Sequence, residues 1–285
     1  MLEFIYSLIA GIVQGITEWL PISSTGHLIL LDSFFNLETL GADFIKMFDV
    51  VIQFGSIMAI VVLYFRRLNP FAPSKTKSEK RETWSLWSKI LVAAVPAGVI
   101  GLLFDDILDE TVFSDPQRVY IVAGALLLYG IAFIVIERLN KNRKFRIDTP
   151  EGIDYKTALG IGAFQVLALV PGTSRSGSTI IGSTVLGVSR TAAAEFSFFL
   201  AIPVMLGASV LKIAKFVLEA GSGLAGAFSS LQLTVLLTGT VVSFLVSLVA
   251  VKFLVGFVRR HSFEAFGWYR IAVGIALLIY FGFVK

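Results

Sequence analysis

The 285 residues are 56% hydrophobic and only 15% charged, with 25 Phe, 25 Gly and no Cys. That balance excludes a soluble domain, and several apolar runs reach roughly 20 residues, the length that crosses a bilayer. The formal net charge is +4, and its placement along the chain says more than its sum. Without cysteine, disulfide frameworks and thiolate chemistry are excluded. A polytopic membrane protein is expected, with most Phe facing lipid and Gly letting helices pack closely.

Apolar segments run over 2–20, 28–36, 47–65, 88–104, 119–137, 157–170, 178–188, 196–218, 231–258 and 264–284. The chain opens Met1-Leu2-Glu3 with no basic leader, so the first segment is expected to stay in the mature protein. The boundary of the first two segments is polar: Glu18-Trp19-Leu20-Pro21-Ile22-Ser23-Ser24-Thr25-Gly26-His27 carries a carboxylate, three hydroxyls and one of the two histidines. Pro21 cannot continue a helix, because its ring clashes with the preceding turn and it has no N–H. The hydroxyls follow where a second helix can start, as cap residues do. Ionisable groups at membrane depth are expensive and by default mark an interior site.

A second break answers the first at an offset of 150 positions. Pro171-Gly172-Thr173-Ser174-Arg175-Ser176-Gly177 resembles Pro21-Ile22-Ser23-Ser24-Thr25-Gly26, with Arg175 inserted. Interrupted hydrophobic segments at matching places in two halves point to a midplane site at the repeat interface. Loop charge sets the topology. Arg66, Arg67, Lys75, Lys77, Lys80, Arg81 and Lys89 crowd one connection, and Arg138, Lys141, Arg143, Lys144, Arg146 and Lys156 crowd another. Both are expected in the cytoplasm, with Lys252, Arg259 and Arg260, while Asp105, Asp106, Asp109, Glu110 and Asp115 mark an outer connection. Lys212 and Lys215 run against the rule.

Residues 1–36 are too short for two spans, so a re-entrant helical hairpin from the outer face is predicted, matched by one at 157–190 from the inner face. The expected architecture is an all-α integral membrane protein of six transmembrane helices plus two re-entrant helical hairpins. It forms a single membrane domain over 1–285. Inverted-topology repeats cover approximately 1–138 and 157–285, joined by a basic cytoplasmic loop, 138–156.

Gln14 and Glu18, four apart, share a helix face. Ser24 and His27 share another if helix restarts at Ser23. A helix start offers free N–H groups to phosphate, and a guanidinium matches phosphate oxygens with a fixed fork of donors. Carboxylate, hydroxyl, imidazole and guanidinium at two helix starts make a kit for hydrolysing a phosphoanhydride. Blander roles compete residue by residue. Glu18 and Arg175 can form a structural ion pair, His27 can be a packing histidine, and Ser23 and Thr25 can simply bond neighbouring helices. His261 reads as a surface cation, Asp49 and Glu195 as interfacial groups or as groups that support the site from behind, and Trp84, Trp87, Trp268 and Tyr269 as interface anchors. Gln53 is left open between helix contact and cavity wall. Their joint occurrence at two matching breaks favours one site.

Gln14-Gly-Ile-Thr-Glu18-Trp-Leu-Pro-Ile-Ser-Ser-Thr-Gly-His27 resembles the (Glu/Gln)-xxx-Glu plus Pro-x-Ser-Ser-Thr-Gly-His signature of the bacterial undecaprenyl-pyrophosphate phosphatases, also called bacitracin-resistance proteins. Pro171-Gly-Thr-Ser-Arg175-Ser-Gly is similar to that family's second signature, and Ser189-Arg190 through Glu195 to Pro203 also resembles it. The resemblance runs over essentially the whole chain. It implies removal of the terminal phosphate from the C55 isoprenyl diphosphate lipid, recycling the carrier for peptidoglycan assembly and conferring bacitracin resistance. It also implies a divalent cation (Mg2+ or Ca2+), a bacterial inner-membrane location and a site opening to the outer face.

On this reading Glu18, Ser24, His27 and Arg175 are the expected catalytic residues. Gln14, Ser23, Thr25, Gly172, Thr173, Ser174, Ser176, Gly177 and Thr179 are expected to bind substrate, and Glu18 with Gln14 to hold the metal. Ser24 or His27 is the nucleophile, the other its partner. The isoprenyl diphosphate and the bilayer are the expected partners; no nucleic acid is expected, and a homodimer is allowed. The rival class is a transporter or flippase for a phosphorylated lipid or small anion, which has no need of His27 or Glu18.

Overall fold

Long apolar runs with no internal polar period fold into helices here, because helices satisfy every main-chain N–H and C=O within the segment. The computed structural model describes residues 1–35, 37–108, 118–221 and 223–284. Helices α1 (Leu2–Thr17) and α2 (Ser24–Asp32) flank the first break. Then come α3 (Ala42–Leu63), the short α4 (Phe65–Leu68), α5 (Lys77–Leu108) and α6 (Arg118–Leu139). The second half repeats the order: α7 (Tyr155–Val166) and α8 (Arg175–Val185) flank the second break. They are followed by α9 (Arg190–Ala220), the short α10 (Gly223–Gly226), α11 (Ser230–Val258) and α12 (Glu264–Ile279). Among the described residues, extended pairing amounts to one isolated bridge, Ile147 with Val188.

Six helices are long and apolar enough to cross a membrane: Ala42–Leu63, Lys77–Phe104, Arg118–Leu139, Arg190–Ala220, Ser230–Val258 and Glu264–Phe283. They correspond one for one to the runs expected from hydropathy. The chain is a multi-pass membrane protein. Of the acidic connection, Asp109, Glu110 and Asp115 lie outside the described residues.

Lipid offers no hydrophobic drive for helices to meet, so small residues and polar bonds fix the packing. Helix α1 lies on α11, α3 on both α9 and α11, α5 on α7, and α6 on α12. At Gly55 a Cβ would fall 2.1 Å from the Thr240 carbonyl, so a side chain there would force α3 off α11. The Ser56 and Ser243 hydroxyls bond across the same interface at 2.7 Å. Pro96 and Pro203 sit inside α5 and α9, where neighbouring helices can re-satisfy the freed carbonyls.

The basic connections gather at one end of the molecule. Arg67 grips both Glu151 oxygens, at 2.7 and 2.8 Å, and reaches Glu195 at 2.7 Å. Arg138 pairs with Glu264 at 2.8 Å, and Arg190 with Glu137. Glu195, near the start of α9, is thus a partner of Arg67. His261 is exposed and stacks on Phe257.

Candidate active site

Both breaks end in the same local structure. Ser23 and Ser174 are the N-caps of α2 and α8, and each stands at φ 72°, the two positive-φ non-glycine residues among those described. Each hydroxyl accepts a hydrogen bond from the glycine N–H three residues on, Gly26 at 3.4 Å and Gly177 at 3.1 Å. Backbone held there by a non-glycine residue costs on the order of 1–3 kcal/mol, and the cap bond offsets part of it. The turn aims two helix starts, with their free N–H groups, at a shared space.

That space is a cavity of about 140 Å³. Its polar wall is Glu18, Ser24, Thr25, Ser174 and Arg175, with Gln53 and the Gly172 backbone beside them. Ala168, Val170, Pro171 and Met205 form the apolar wall. Gln53 is therefore a cavity residue.

Glu18 is the hub. The carboxylate is 4% exposed and accepts from Gln14 Nε2 at 2.9 Å, from Ser24 Oγ at 3.2 Å and from Arg175 Nη2 at 3.2 Å. Arg175 also donates through Nη1 to the Ser197 carbonyl at 2.7 Å and lies over the Trp19 ring. Its Nε is buried with no protein acceptor. An unpaired buried donor costs the desolvation of that group. Gln14 Oε1 is likewise buried and unpaired.

The other hydroxyls of the second break bond within the protein. Ser176 Oγ donates to the Glu18 carbonyl at 3.1 Å and so staples one break to the other. Thr179 Oγ1 shares a 2.7 Å bond with Ser197 Oγ and so supports Arg175 from behind. Thr173 is buried outside the wall.

His27 lies apart from this set. Nδ1 is 2.7 Å from the Ser23 carbonyl and Nε2 is 2.9 Å from the Tyr269 hydroxyl, with the two rings stacked at 3°. A carbonyl can only accept, so Nδ1 carries the proton and the Nε2 lone pair takes the tyrosine O–H. The serine's hydrogen bond goes to Glu18, and the histidine instead steadies the cap residue beside it. Tyr269, expected as an interface anchor, is its partner.

Sequence reasoning passes over Arg270, the next residue. It is fully buried and donates to the carbonyls of Pro21 at 3.1 Å, Gly172 at 2.8 Å and Thr173 at 2.9 Å. The available signal was an arginine inside the apolar run 264–284, which membrane burial alone makes a candidate.

A family model described as bacitracin resistance protein BacA matches residues 7–276. The chain belongs to this family. Its relatives include the undecaprenyl-diphosphatase of Enterococcus faecalis, 53% identical over 277 residues and covering 97% of each chain. Undecaprenyl-diphosphatase 1 of Clostridioides difficile is 52% identical over 281 residues, 99% of this chain and 97% of the other. The undecaprenyl-diphosphatase of Streptococcus mutans is 51% identical over 283 residues, again 99% and 97%. Both breaks and α12 through Arg270 fall inside the stretch matched to the BacA family.

Proposed function

We propose that this protein is an undecaprenyl-diphosphate phosphatase, hydrolysing the terminal phosphoanhydride to give undecaprenyl phosphate and inorganic phosphate for reuse in peptidoglycan synthesis. Full-length identity above 50% to relatives of that name supports the reading. The observation that carries the chemistry is one buried carboxylate bonded at once to a hydroxyl and a guanidinium, in a cavity between two helix starts.

In this mechanism the diphosphate enters with its oxygens toward the N–H groups of α2 and α8 and toward the Arg175 guanidinium on the cavity wall. Glu18, held by Gln14 and Arg175, takes the Ser24 proton as Oγ attacks the terminal phosphorus. The bond from phosphorus to the bridging oxygen breaks, and undecaprenyl phosphate leaves with that oxygen and with the proton that Glu18 gives up to it. Glu18, ionised again, deprotonates a water that attacks the Ser24–phosphate ester; the Ser24–phosphate bond breaks, the proton returns from Glu18 to Ser24 Oγ, and inorganic phosphate leaves. Charge neutralisation and positioning dominate phosphoryl transfer, which gives Arg175 its weight. His27 keeps Ser23, and through it Ser24, in place.

The residues present fit a hard divalent ion of the Mg2+ or Ca2+ class. Gln14 Oε1 is an unpaired buried oxygen beside the Glu18 carboxylate, and oxygen ligands suit such ions. Among the described residues no three His, Cys, Asp or Glu gather, so most ligands would come from the diphosphate and water. When bound, the ion neutralises charge on the phosphate oxygens.

The two helix–break–helix units read best as re-entrant hairpins from opposite faces, within inverted repeats of one membrane domain. Exchanging the halves turns α1 on α11 into α7 on α5, and α3 on α11 into α9 on α5, while α3 with α9 and α6 with α12 map onto themselves. The clustered basic connections belong in the cytoplasm of a bacterial inner membrane, with the site opening to the outer face. A transporter shares this architecture, but a serine bonded to a buried carboxylate serves no purpose in carrying an anion.

The test is phosphate release from undecaprenyl diphosphate by purified protein in detergent, where there is no membrane to cross. Release that chelator abolishes and magnesium restores is expected. Lipid movement across vesicles with no phosphate released would establish the carrier instead.

A further inference from the structure

We infer that Arg270, on α12, is the positioning residue that joins the two breaks into one site; this rests on the phosphatase reading above. Its guanidinium spans them: one arm reaches Pro21, two residues before the cap Ser23, and the other reaches Gly172 and Thr173, immediately before the cap Ser174. These carbonyls belong to non-helical backbone at membrane depth, where each needs a donor and water is scarce. The fork supplies donors to both breaks from a third element that belongs to neither.

The surroundings show a charge kept for this purpose. Among the described residues no carboxylate pairs with Arg270. The guanidinium lies 5.6 Å from the Tyr129 ring centroid and 6.0 Å from that of Phe133, and aromatic faces stabilise a cation without competing for its N–H groups. Gly177 leaves room for it, since a Cβ there would fall 3.1 Å from Nη1. Glu18 and Arg175 cancel each other's charge, so Arg270 also leaves the tip region net positive. A lysine keeps that charge but is a point donor and cannot hold both breaks.

The experiment compares Arg270→Lys and Arg270→Gln with the parent, all purified and monodisperse. The chain has no cysteine, so spin labels at introduced cysteines on the exposed Phe34 and Val185, one beyond α2 and one ending α8, report the separation of the breaks. Arg270→Lys is expected to lose about 10–100-fold in kcat with KM within about threefold of the parent, since ångström misplacement of reacting groups costs rates of that order. The label distances in it should broaden or shift. Parent kcat in folded Arg270→Lys overturns the inference. So does a loss of kcat with unchanged distances, which would assign the effect to charge instead of tethering. If neither variant folds, Gly177→Ala decides, because its methyl pushes on the guanidinium while leaving it present: unchanged distances there overturn the inference, and a shift supports it. A parent that releases no phosphate would fail the phosphatase reading, whereas the label distances judge the tether separately.

Discussion

Ser24 and His27 start from equal standing in sequence, three positions apart in one motif, and the structure gives them different partners. Ser24 faces the cavity and Glu18; His27 turns to Tyr269, 242 positions along the chain. The phosphorylated intermediate should therefore be an acid-stable phosphoserine. Acid-quenched protein mixed with substrate is expected to carry label in the parent and none in Ser24→Ala, and an acid-labile phosphohistidine would refute the assignment. Arg175→Ala is expected to lower phosphate release by about 10²–10³-fold or more, the range seen when one preorganised donor to developing charge is removed. Turnover at the parent rate would remove Arg175 from the mechanism. The polar kit was legible because hydroxyls, a carboxylate and an arginine stand out against apolar neighbours. The His27–Tyr269 bond was not, since an aromatic next to Trp268 at a helix start looks like a membrane-interface anchor until the fold sets a histidine against it.

The two caps and the basic-end latch are tested as elements. A serine at φ 72° holds its turn against steric cost, so glycine relieves strain while losing the cap, and alanine loses the cap and keeps the strain. Ser174→Gly is expected to unfold within about 1 kcal/mol of the parent and Ser174→Ala roughly 1–2 kcal/mol lower; the order is read by thermal unfolding in detergent, and equal losses would deny the strain. At the other end, partial burial pushes the Glu151 carboxyl up, but the hydrogen bonds from Arg67, a main-chain hydrogen bond and the charges of Arg67 and Lys89 together hold it below its ordinary 4.5. A carboxylate so depressed contributes stability above its unfolded pKa and loses it as pH falls through the folded value. Glu151→Gln should then cost about 1 kcal/mol or less at pH 7, a difference that closes on acidification below about pH 4. A gap equally wide in acid would show that the latch is not ionic.

Across the whole molecule, the six spanning helices were readable because length and hydropathy decide a span with little help from tertiary contacts. Which helix touches which was not readable, because lipid-immersed packing rests on single small residues such as Gly55 that any membrane sequence supplies in plenty. Orientation is open to direct test in a chain without cysteine. A single cysteine at Phe34, 63% exposed, should react with an impermeant thiol reagent on intact cells, and one at Phe71, 74% exposed in the first basic connection, only after permeabilisation. The opposite pattern would invert the topology.

The cavity of about 140 Å³ has the dimensions of a lipid head group and nothing like those of a 55-carbon chain. A carrier processed here would stay dissolved in the bilayer throughout, offering its phosphates sideways and withdrawing one fewer. Tail length would then govern how often a head group arrives, while the speed of bond breaking once it is seated would be blind to it.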